Sequence, residues 1–254
     1  MDDFKWHDSE IQFNDSEYFW KYLDIHKFLN LLLNQQITLS RLDLFEDPLE
    51  GITVQNLDVL HSIKDAPKRR LSENSSEDPQ EKYARYWKKA RKTQRKKYAS
   101  CWFLSEKESW AMWNLYSNAD SIVLCAKPQL LIEKMNSGLR HVKENLASNL
   151  RTALMGNVEY LPLWPFDRST LEKAEKPDIH SFKKDISFQH ENEFRFILDF
   201  KQELDAEIIT LEVAPENLSI FTHPNMVDWK FENLKTLIST LKIDLEIRQS
   251  TLSI

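Results

Sequence analysis

The chain has 254 residues, 41% hydrophobic and 11% aromatic, which is enough to bury a substantial core. Its net charge is -6, although nine lysines and arginines lie between residues 82 and 97 with no acid among them. Only Gly51, Gly138 and Gly156 occur, so the closely spaced glycines of a dinucleotide fingerprint or a P-loop are absent. Two cysteines exclude a disulfide scaffold and a cysteine-rich zinc site.

The start of the chain, MDDFKWHDSE, is acidic and has neither the positive region nor the apolar core of a signal peptide. No stretch approaches the roughly 20 apolar residues that a membrane span needs. We therefore expect a soluble, cytoplasmic protein without a membrane partner. We treat residues 1–254 as one domain that contains an insertion at 55–98.

Residues 17–36 begin with an aromatic strand and continue as a helix, with apolar side chains at helical spacing from Ile25 to Leu33. A short alternating strand follows at 37–41. The next loop, RLDLFEDPLEG, carries four acids, Asp43, Glu46, Asp47 and Glu50. These acids either bind a divalent ion or serve as helix caps and solvated loop residues.

The insertion at 55–98 begins with a predicted short helix and a segment of disorder-like composition, and it ends in a basic helix. Tyr83, Tyr86, Trp87 and Ala90 share one face of that helix, which predicts docking through an aromatic stripe. The opposite face either tracks a nucleic-acid backbone or is merely solvated. The candidate nucleic-acid contacts are Lys88, Lys89, Arg91, Lys92, Arg95 and Lys96.

The remaining elements mix strands and helices without a repeating βαβ rhythm. YASCWFL predicts a strand, and Ser105 with Glu108 has the spacing of a capping box that opens a helix. DSIVLCA predicts a buried strand, residues 127–155 a helical region, and NVEYLPL another strand, before a polar loop at 168–177. Two strands, an amphipathic helix and a final strand complete the chain. This pattern predicts an α+β fold, with a mixed, largely antiparallel sheet flanked by helices.

The late stretch ISFQHENEFRFILDF places charges inside an otherwise buried strand pattern. At a period of two, Phe194, Phe196 and Leu198 share one face, while Glu191, Glu193 and Arg195 share the other. Two interpretations remain open. The charges either pair with one another on a solvated surface or form a carboxylate site in a cleft.

The chain resembles DUF2971, a bacterial family defined as a domain of unknown function. The resemblance covers residues 17–254 through ordered motifs that include F-x-D-P-x-E-G, S-C-W, E-S-x-x-M-W-x-x-Y-S and F-x-x-E-x-E-x-R. In this sequence they stand in WKYLDIHKFLNLLLNQQITLSRLDLFEDPLEG, YASCWFLSEKESWAMWNLYS, VEY, KKDISFQHENEFRFIL, THPNMVDWKFENLKTLI and IRQSTL.

The resemblance implies a core like that of ADP-ribosyltransferases, which cleave the bond between nicotinamide and ribose in NAD. Many such bacterial proteins are toxins or anti-phage effectors, so a nucleic-acid or protein substrate and a defence-system partner or antitoxin are expected. Glu191 or Glu193 would be the catalytic carboxylate, with Arg195 keeping it ionised. The residues expected to contact NAD are Lys21, Tyr22, Arg41, Trp113, Tyr116 and Lys184.

One position departs from related sequences, where an arginine commonly precedes the first-strand tyrosine. Lys21 keeps the positive charge of that arginine but not the fork that grips a phosphate with two hydrogen bonds.

Two other functions remain open. Pro177 and Asp178, followed by Glu191, Glu193 and Arg195, loosely imitate the magnesium site of metal-dependent nucleases, although arginine replaces the usual lysine. Alternatively, no reaction occurs and the chain is a nucleic-acid-binding module that uses the basic helix.

Overall fold

The computed structural model describes residues 3–52, 78–142, 144–162 and 177–252. Within these ranges the protein is an α+β fold with a mixed, largely antiparallel sheet, which confirms the predicted fold class. Ten strands form the main sheet, and two short strands pair separately. The strands are β1 (Lys5–Trp6), β2 (Tyr18–Leu23), β3 (Gln36–Arg41), β4 (Lys97–Ser105), β5 (Ile122–Ala126), β6 (Leu150–Asn157), β7 (Glu159–Leu161), β8 (Lys183–Asp185), β9 (Glu193–Phe200), β10 (Ile208–Glu212), β11 (Ser219–Thr222) and β12 (Glu246–Gln249).

Helices lie against both faces of this sheet. In the described ranges they are α1 (Ile25–Asn34), α2 (Pro79–Gln94), α3 (Trp110–Tyr116), α4 (Pro128–Arg140), α5 (Glu144–Asn149) and α6 (Asp228–Leu241). The main core packs α1, α4 and α6 against one face through buried leucines, phenylalanines and isoleucines. None of these helices combines the length and apolar character needed to cross a bilayer.

The order of the strands in the sheet is β1-β6-β9-β4-β2-β5-β11-β12, and β3 joins β10 to β4. One edge of β4 pairs with β9 along Lys97 to Phe103. The other edge is shared between two strands. β3 pairs with β4 at Tyr98 and Ala99, and β2 pairs with it at Phe103, Leu104 and Ser105. The sheet therefore splits beside the middle of β4, where β2 and β3 separate.

Strand β9 follows the alternation predicted from the sequence. Phe194, Phe196 and Leu198 belong to the main core, and Ile197 packs on the opposite face in a cluster with Leu42 and Ala99. Every residue of β9 is buried. The predicted strand began too early, however, because residues 186–191 form a 3-10 turn that ends at Asn192.

Two other predicted elements have different limits. The helical region predicted at 127–155 comprises α4 and α5 only. Residues 150–157 instead form β6, because the backbone of β6 pairs with β9, and Ala153 and Met155 are buried in the core. The helix after β4 starts at Trp110 rather than near Ser105. The side chain of Ser109, and not that of Ser105, accepts the capping hydrogen bond, from the Met112 backbone N–H at 3.3 Å.

The basic helix predicted within the insertion is α2. Ala90 and, partly, Trp87 pack against Leu49 and Ile52, so the predicted stripe docks only at its C-terminal end. Tyr83 is exposed. The short helix predicted ahead of α2 lies outside the described ranges, and so do the disorder-like segment at 67–80 up to residue 77 and the polar loop predicted at 168–177 up to residue 176. The last three residues of the disorder-like segment are ordered: Asp78 caps α2, and Pro79 and Gln80 begin it.

Candidate functional site

A cleft of about 450 Å³ opens beside the middle of β4, where β2 and β3 separate from each other. Side chains from β2, β3 and β4 line it, together with the loop between β3 and α2, helix α3 and the turn before β9. This volume falls within the roughly 300–1,000 Å³ typical of small-molecule sites. The predicted carboxylates Glu191 and Glu193 both line the cleft. They therefore belong to a sheltered site and not to a convex, solvated surface.

Arg195 lies behind the lining of the cleft and binds the carboxylates of the site. Its side chain is fully buried, and its Nε donates to Glu193 Oε2 at 2.5 Å. Its Nη1 donates to the Ser181 carbonyl at 2.8 Å and also to the carboxylate of Glu50. Arg195 is absent from the lining of the cleft. It therefore acts on a bound molecule only through the glutamates that it holds.

Lys184 neutralises the same glutamates from the cleft side. Its Nζ donates to Glu193 Oε1 at 3.0 Å and to the carboxylate of Glu191, and it lies 3.8 Å from Glu50 Oε2. Although burial opposes its charge, these carboxylates raise the pKa of Lys184. Lys184 is thus committed to three carboxylates, so it is a poor candidate for the phosphate contact expected from the sequence.

The two predicted carboxylates ionise differently. Burial, a hydrogen bond with Glu193 and the charge of Glu193 raise the pKa of Glu191 to about 7. Burial also opposes the ionisation of Glu193, but the Arg195 guanidinium and Lys184 hold its pKa well below the usual range. Glu193 is therefore an anion at neutral pH, while Glu191 exchanges its proton there.

Local backbone geometry brings these carboxylates together. Asn192 separates them in a left-handed conformation with φ 35°, which ends the 3-10 turn and starts β9. Its side-chain amide donates to the Leu104 carbonyl at 2.5 Å, and the Leu104 N–H donates to the Asn192 carbonyl at 3.0 Å. Asparagine tolerates this conformation better than most residues. Glu191 reaches the cleft through this turn and not through the strand alternation assumed from the sequence.

Two of the expected aromatic contacts lie at the cleft. Tyr116 donates from its hydroxyl group to the carboxylate of Glu191, and its side chain is partly exposed. Tyr22 also lines the cleft, and its hydroxyl accepts from the Ser109 N–H at 3.2 Å. Lys21 reaches the cleft from β2 as well. A role for these residues in binding NAD stays a prediction.

Trp113 and Arg41 lie elsewhere, which corrects their expected places. Trp113 is fully buried, packs edge-on against Tyr22, and donates from Nε1 to Glu108 at 2.8 Å. Its ring is a core ring because it occupies the inward face of α3. Arg41 donates to Asp43 Oδ1 at 2.6 Å and to the Ala206 carbonyl at 3.3 Å. Its guanidinium connects the turn after β3 with the segment before β10, and it does not line the cleft.

The candidate nucleic-acid contacts on α2 and just after it divide into two groups. The side chains of Lys88, Lys89 and Lys92 are exposed. Arg91 donates to the Asp43 carbonyl at 2.7 Å, while Arg95 lies 3.5 Å from Glu203, and Lys96 donates to the Lys201 carbonyl at 3.0 Å. The three exposed lysines are accordingly available to a ligand, and the other three cations support the fold.

Glu50 also belongs to the site, although the sequence placed it only among the acids of the loop after β3 and did not connect it with Arg195. Its carboxylate is fully buried and pairs with Arg195, and burial raises its pKa. The quoted F-x-D-P-x-E-G turn contains it, followed by Gly51 at φ 66°. A Cβ on Gly51 would lie 2.6 Å from the Leu42 side chain, so glycine is needed there. In the sequence, the only indication of this role was that Glu50 directly precedes the glycine of the F-x-D-P-x-E-G turn.

Comparison with known proteins adds no assignment to this geometry: a scan against protein-family models gives no match, and a search of curated proteins gives none either.

Proposed function

We propose that this protein is an ADP-ribosyltransferase-like enzyme that cleaves the nicotinamide–ribose bond of NAD, and that it belongs to the DUF2971 family that its motifs resemble. One observation carries the proposal. An ionised glutamate, Glu193, and a neighbouring glutamate with a pKa of about 7, Glu191, line the same cleft. Two carboxylates with separated pKa values suit a reaction that needs both a fixed charge and a proton acceptor.

Glu193 suits the electrostatic part of this reaction. As nicotinamide leaves, positive charge develops on the ribose, and a fixed carboxylate stabilises that charge best where water is excluded. Only 8% of Glu193 is exposed, and Arg195 and Lys184 fix both of its oxygens. The carboxylate therefore needs little reorientation when charge appears beside it.

Glu191 suits the proton-transfer part. A group whose pKa lies near the working pH is an efficient general base, and the pKa of Glu191 is raised to about 7. In its ionised form it would accept the proton of an attacking hydroxyl group on water or on an acceptor molecule. Tyr116, which donates to Glu191, would hold the carboxylate in place.

The lining fits the nicotinamide end of NAD better than the diphosphate. Glu46, Asp47 and Glu207 line the cleft in addition to the site glutamates, and this negative field attracts the cationic nicotinamide ring. Lys21 and Lys27 are the lining cations that remain for phosphates among the described residues, since Lys184 is committed. Binding of NAD would thus depend chiefly on the ring and ribose.

The direct experiment measures nicotinamide release from NAD by the purified protein, with and without nucleic acid or protein acceptors. ADP-ribose added to an acceptor would appear as a mass increase and would support transfer, whereas free ADP-ribose would support hydrolysis. Absence of nicotinamide release under all of these conditions would contradict the proposal.

The nuclease alternative fits the site less well. The two glutamates of that alternative, Glu191 and Glu193, are already bonded to Lys184 or Arg195, so a metal would have to displace a cation. Among the described residues, no group of three His, Cys, Asp or Glu side chains is arranged for a metal ion. The side chain of Asp178 lies outside the described part of the chain. Magnesium-dependent cleavage of labelled DNA or RNA would favour this alternative.

A nucleic-acid-binding role is supported independently by helix α2. Tyr83 and Trp87 stack with an angle of 4° between their rings, next to the exposed Lys88, Lys89 and Lys92. Cations beside aromatic faces are common in surfaces that follow single-stranded nucleic acid. Such binding would supply an acceptor to a transferase, in keeping with the expected toxin or anti-phage role. Salt-sensitive binding without any enzymatic activity would instead support a binding module.

A further inference from the structure

Lys21 occupies the split in the sheet. Between the segments where β4 pairs with β3 and with β2, the Cys101 carbonyl accepts from Lys21 Nζ at 3.0 Å. The same Nζ lies 5.3 Å from the centre of the Trp102 ring. The amine therefore stands at the floor of the cleft, where a side chain substitutes for a missing strand partner.

The amine of Lys21 differs from the amines of the two other lysines at the cleft in its charged partners. Lys184 contacts three carboxylates, and Lys27 lies 3.3 Å from Asp24. No ion pair within the described residues includes Lys21. Burial lowers the pKa of Lys21 to about 8, although Glu193 opposes this shift. A substantial fraction of Lys21 is consequently uncharged in mildly alkaline solution and carries a free electron pair.

We propose that Lys21 is a covalent carbonyl-binding site, whose amine condenses with the aldehyde of a small, uncharged, hydroxyl-bearing molecule held in the cleft. The nitrogen electron pair attacks the carbonyl carbon, and the two amine hydrogens leave with the carbonyl oxygen as water. A C=N bond to Lys21 remains. Lys21 would react in this way whether or not NAD is a substrate.

The lining of the cleft defines the class of aldehyde. Thr38 and Ser40 from β3 supply hydroxyl groups, and Glu46, Asp47 and Glu207 supply carboxylates that accept hydrogen bonds from hydroxyl groups. The same carboxylates repel anions. An open-chain sugar or a related hydroxyaldehyde fits this lining better than a sugar phosphate or an oxo acid does.

The test is reductive trapping of the intact protein with a limiting amount of D-glyceraldehyde and cyanoborohydride. Cleavage before aspartate places Lys21 in the peptide of residues 15–23 and Lys27 in the peptide of residues 24–42, so each rate is read separately by mass spectrometry. We expect Lys21 to react at least tenfold faster than Lys27 near pH 8, because burial leaves about half of the Lys21 amine neutral at that pH. Its rate should level off above pH 8, with a midpoint near the pKa of about 8.

Three controls make the test specific. Urea should equalise the two rates, because it removes the burial that distinguishes Lys21. Glyoxylate, an anionic aldehyde, should give a smaller ratio than glyceraldehyde. K21M should lose the label on the peptide of residues 15–23, and K21R, which keeps a donor for the Cys101 carbonyl, serves if K21M does not fold. Equal rates at Lys21 and Lys27 in the native protein at all pH values would overturn the proposal.

Discussion

Arg195 has the most constrained side chain of the site, since it is fully buried and shared between Glu193 and Glu50. Removing one partner of such a pair leaves an uncompensated charge, which typically costs about 3–5 kcal/mol. Substitution of either glutamate is thus expected to lower stability as well as any activity. Because Glu193 is buried beside Arg195, we expect Glu193→Gln to lower the melting temperature.

Glu191 predicts a pH dependence of stability. Its folded-state pKa of about 7 lies above the ordinary 4.5, so the folded protein holds a proton that the unfolded chain releases. The contribution of Glu191 to the free energy of unfolding is therefore complete below pH 4.5 and is lost as the pH rises through 7. The free energy of unfolding falls by at most about 1.4 kcal/mol per pH unit in this range. Urea unfolding from pH 4.5 to 8 should show a decline that Glu191→Gln removes. Parallel plots of the free energy of unfolding against pH for the two proteins would show that Glu191 is not the group responsible.

Trp113 and Trp110 provide a matched comparison on α3. Trp113 is fully buried, whereas 53% of Trp110 is exposed. We expect Trp113→Ala to lower the free energy of unfolding by about 3–5 kcal/mol because it leaves a cavity. Trp110→Ala should change it by no more than about 0.5 kcal/mol. Similar effects in the two variants would mean that Trp113 is not the core residue of this helix.

At the scale of elements, α2 holds the loop that carries Glu50. Gln94 is fully buried at the end of α2, and its side-chain nitrogen donates to the carbonyls of Pro48 at 3.0 Å and of Glu50 at 2.6 Å. Trp87 and Ala90 pack against the same loop through Leu49 and Ile52. The helix that bears the exposed lysines is therefore also the support of one wall of the cleft.

This support predicts a long-range effect of Gln94. Gln94→Ala leaves the buried Glu50 carbonyl and the part-buried Pro48 carbonyl without their donor, and we expect a loss of about 1–3 kcal/mol in the free energy of unfolding. Limited proteolysis within residues 42–52 should accelerate as well. Thr93→Ala is the control, because Thr93 donates only to the Lys89 carbonyl on the exposed side of α2. Equal rates of proteolysis in the two variants would contradict the role of Gln94 in holding this loop.

The exposed lysines of α2 predict a salt-dependent interaction. Substitution of Lys88, Lys89 and Lys92 by Ser should weaken binding of single-stranded nucleic acid and reduce the dependence of log K on log salt by up to about two units. The matched control replaces Lys107, Lys235 and Lys242, which are also exposed, and it removes the same charge from other surfaces. Equal affinities of the two triple variants would show that net charge, and not α2, governs binding.

For the molecule as a whole, alternation and local spacing predicted most elements and the α+β class. The two faces of β9 and the basic helix are local patterns, and both are present. Residues 150–155 were predicted as helix but form most of β6, and this difference depends on pairing with β9, more than 30 residues away in the chain. Such pairing is decided by tertiary contacts that override local propensity.

The difference between local patterns and tertiary contacts also explains which parts of the site could be predicted. The spacing of Glu191, Glu193 and Arg195 identified one wall of the cleft, but Glu50 joins them from about 145 residues away. The split between β2 and β3, which creates the cleft, follows from the pairing of both strands with one edge of β4. Trp113 and Arg41 were assigned from residue type alone, and residue type does not reveal which face a helix buries or which loop an arginine joins.

The most direct measurement of the central claim compares nicotinamide release from NAD by three proteins: the native chain, Glu193→Gln and Glu50→Gln. Both substitutions remove one carboxylate from Arg195, and both residues line the cleft, but Glu50 is fully buried, while Glu193 carries the charge proposed to face the ribose. Each rate is expressed per folded molecule, from circular dichroism. We expect release by the native chain, a loss of about 100-fold or more for Glu193→Gln, and a much smaller loss for Glu50→Gln. Native activity that persists in Glu193→Gln, or no release by the native chain, would contradict a catalytic carboxylate at this position.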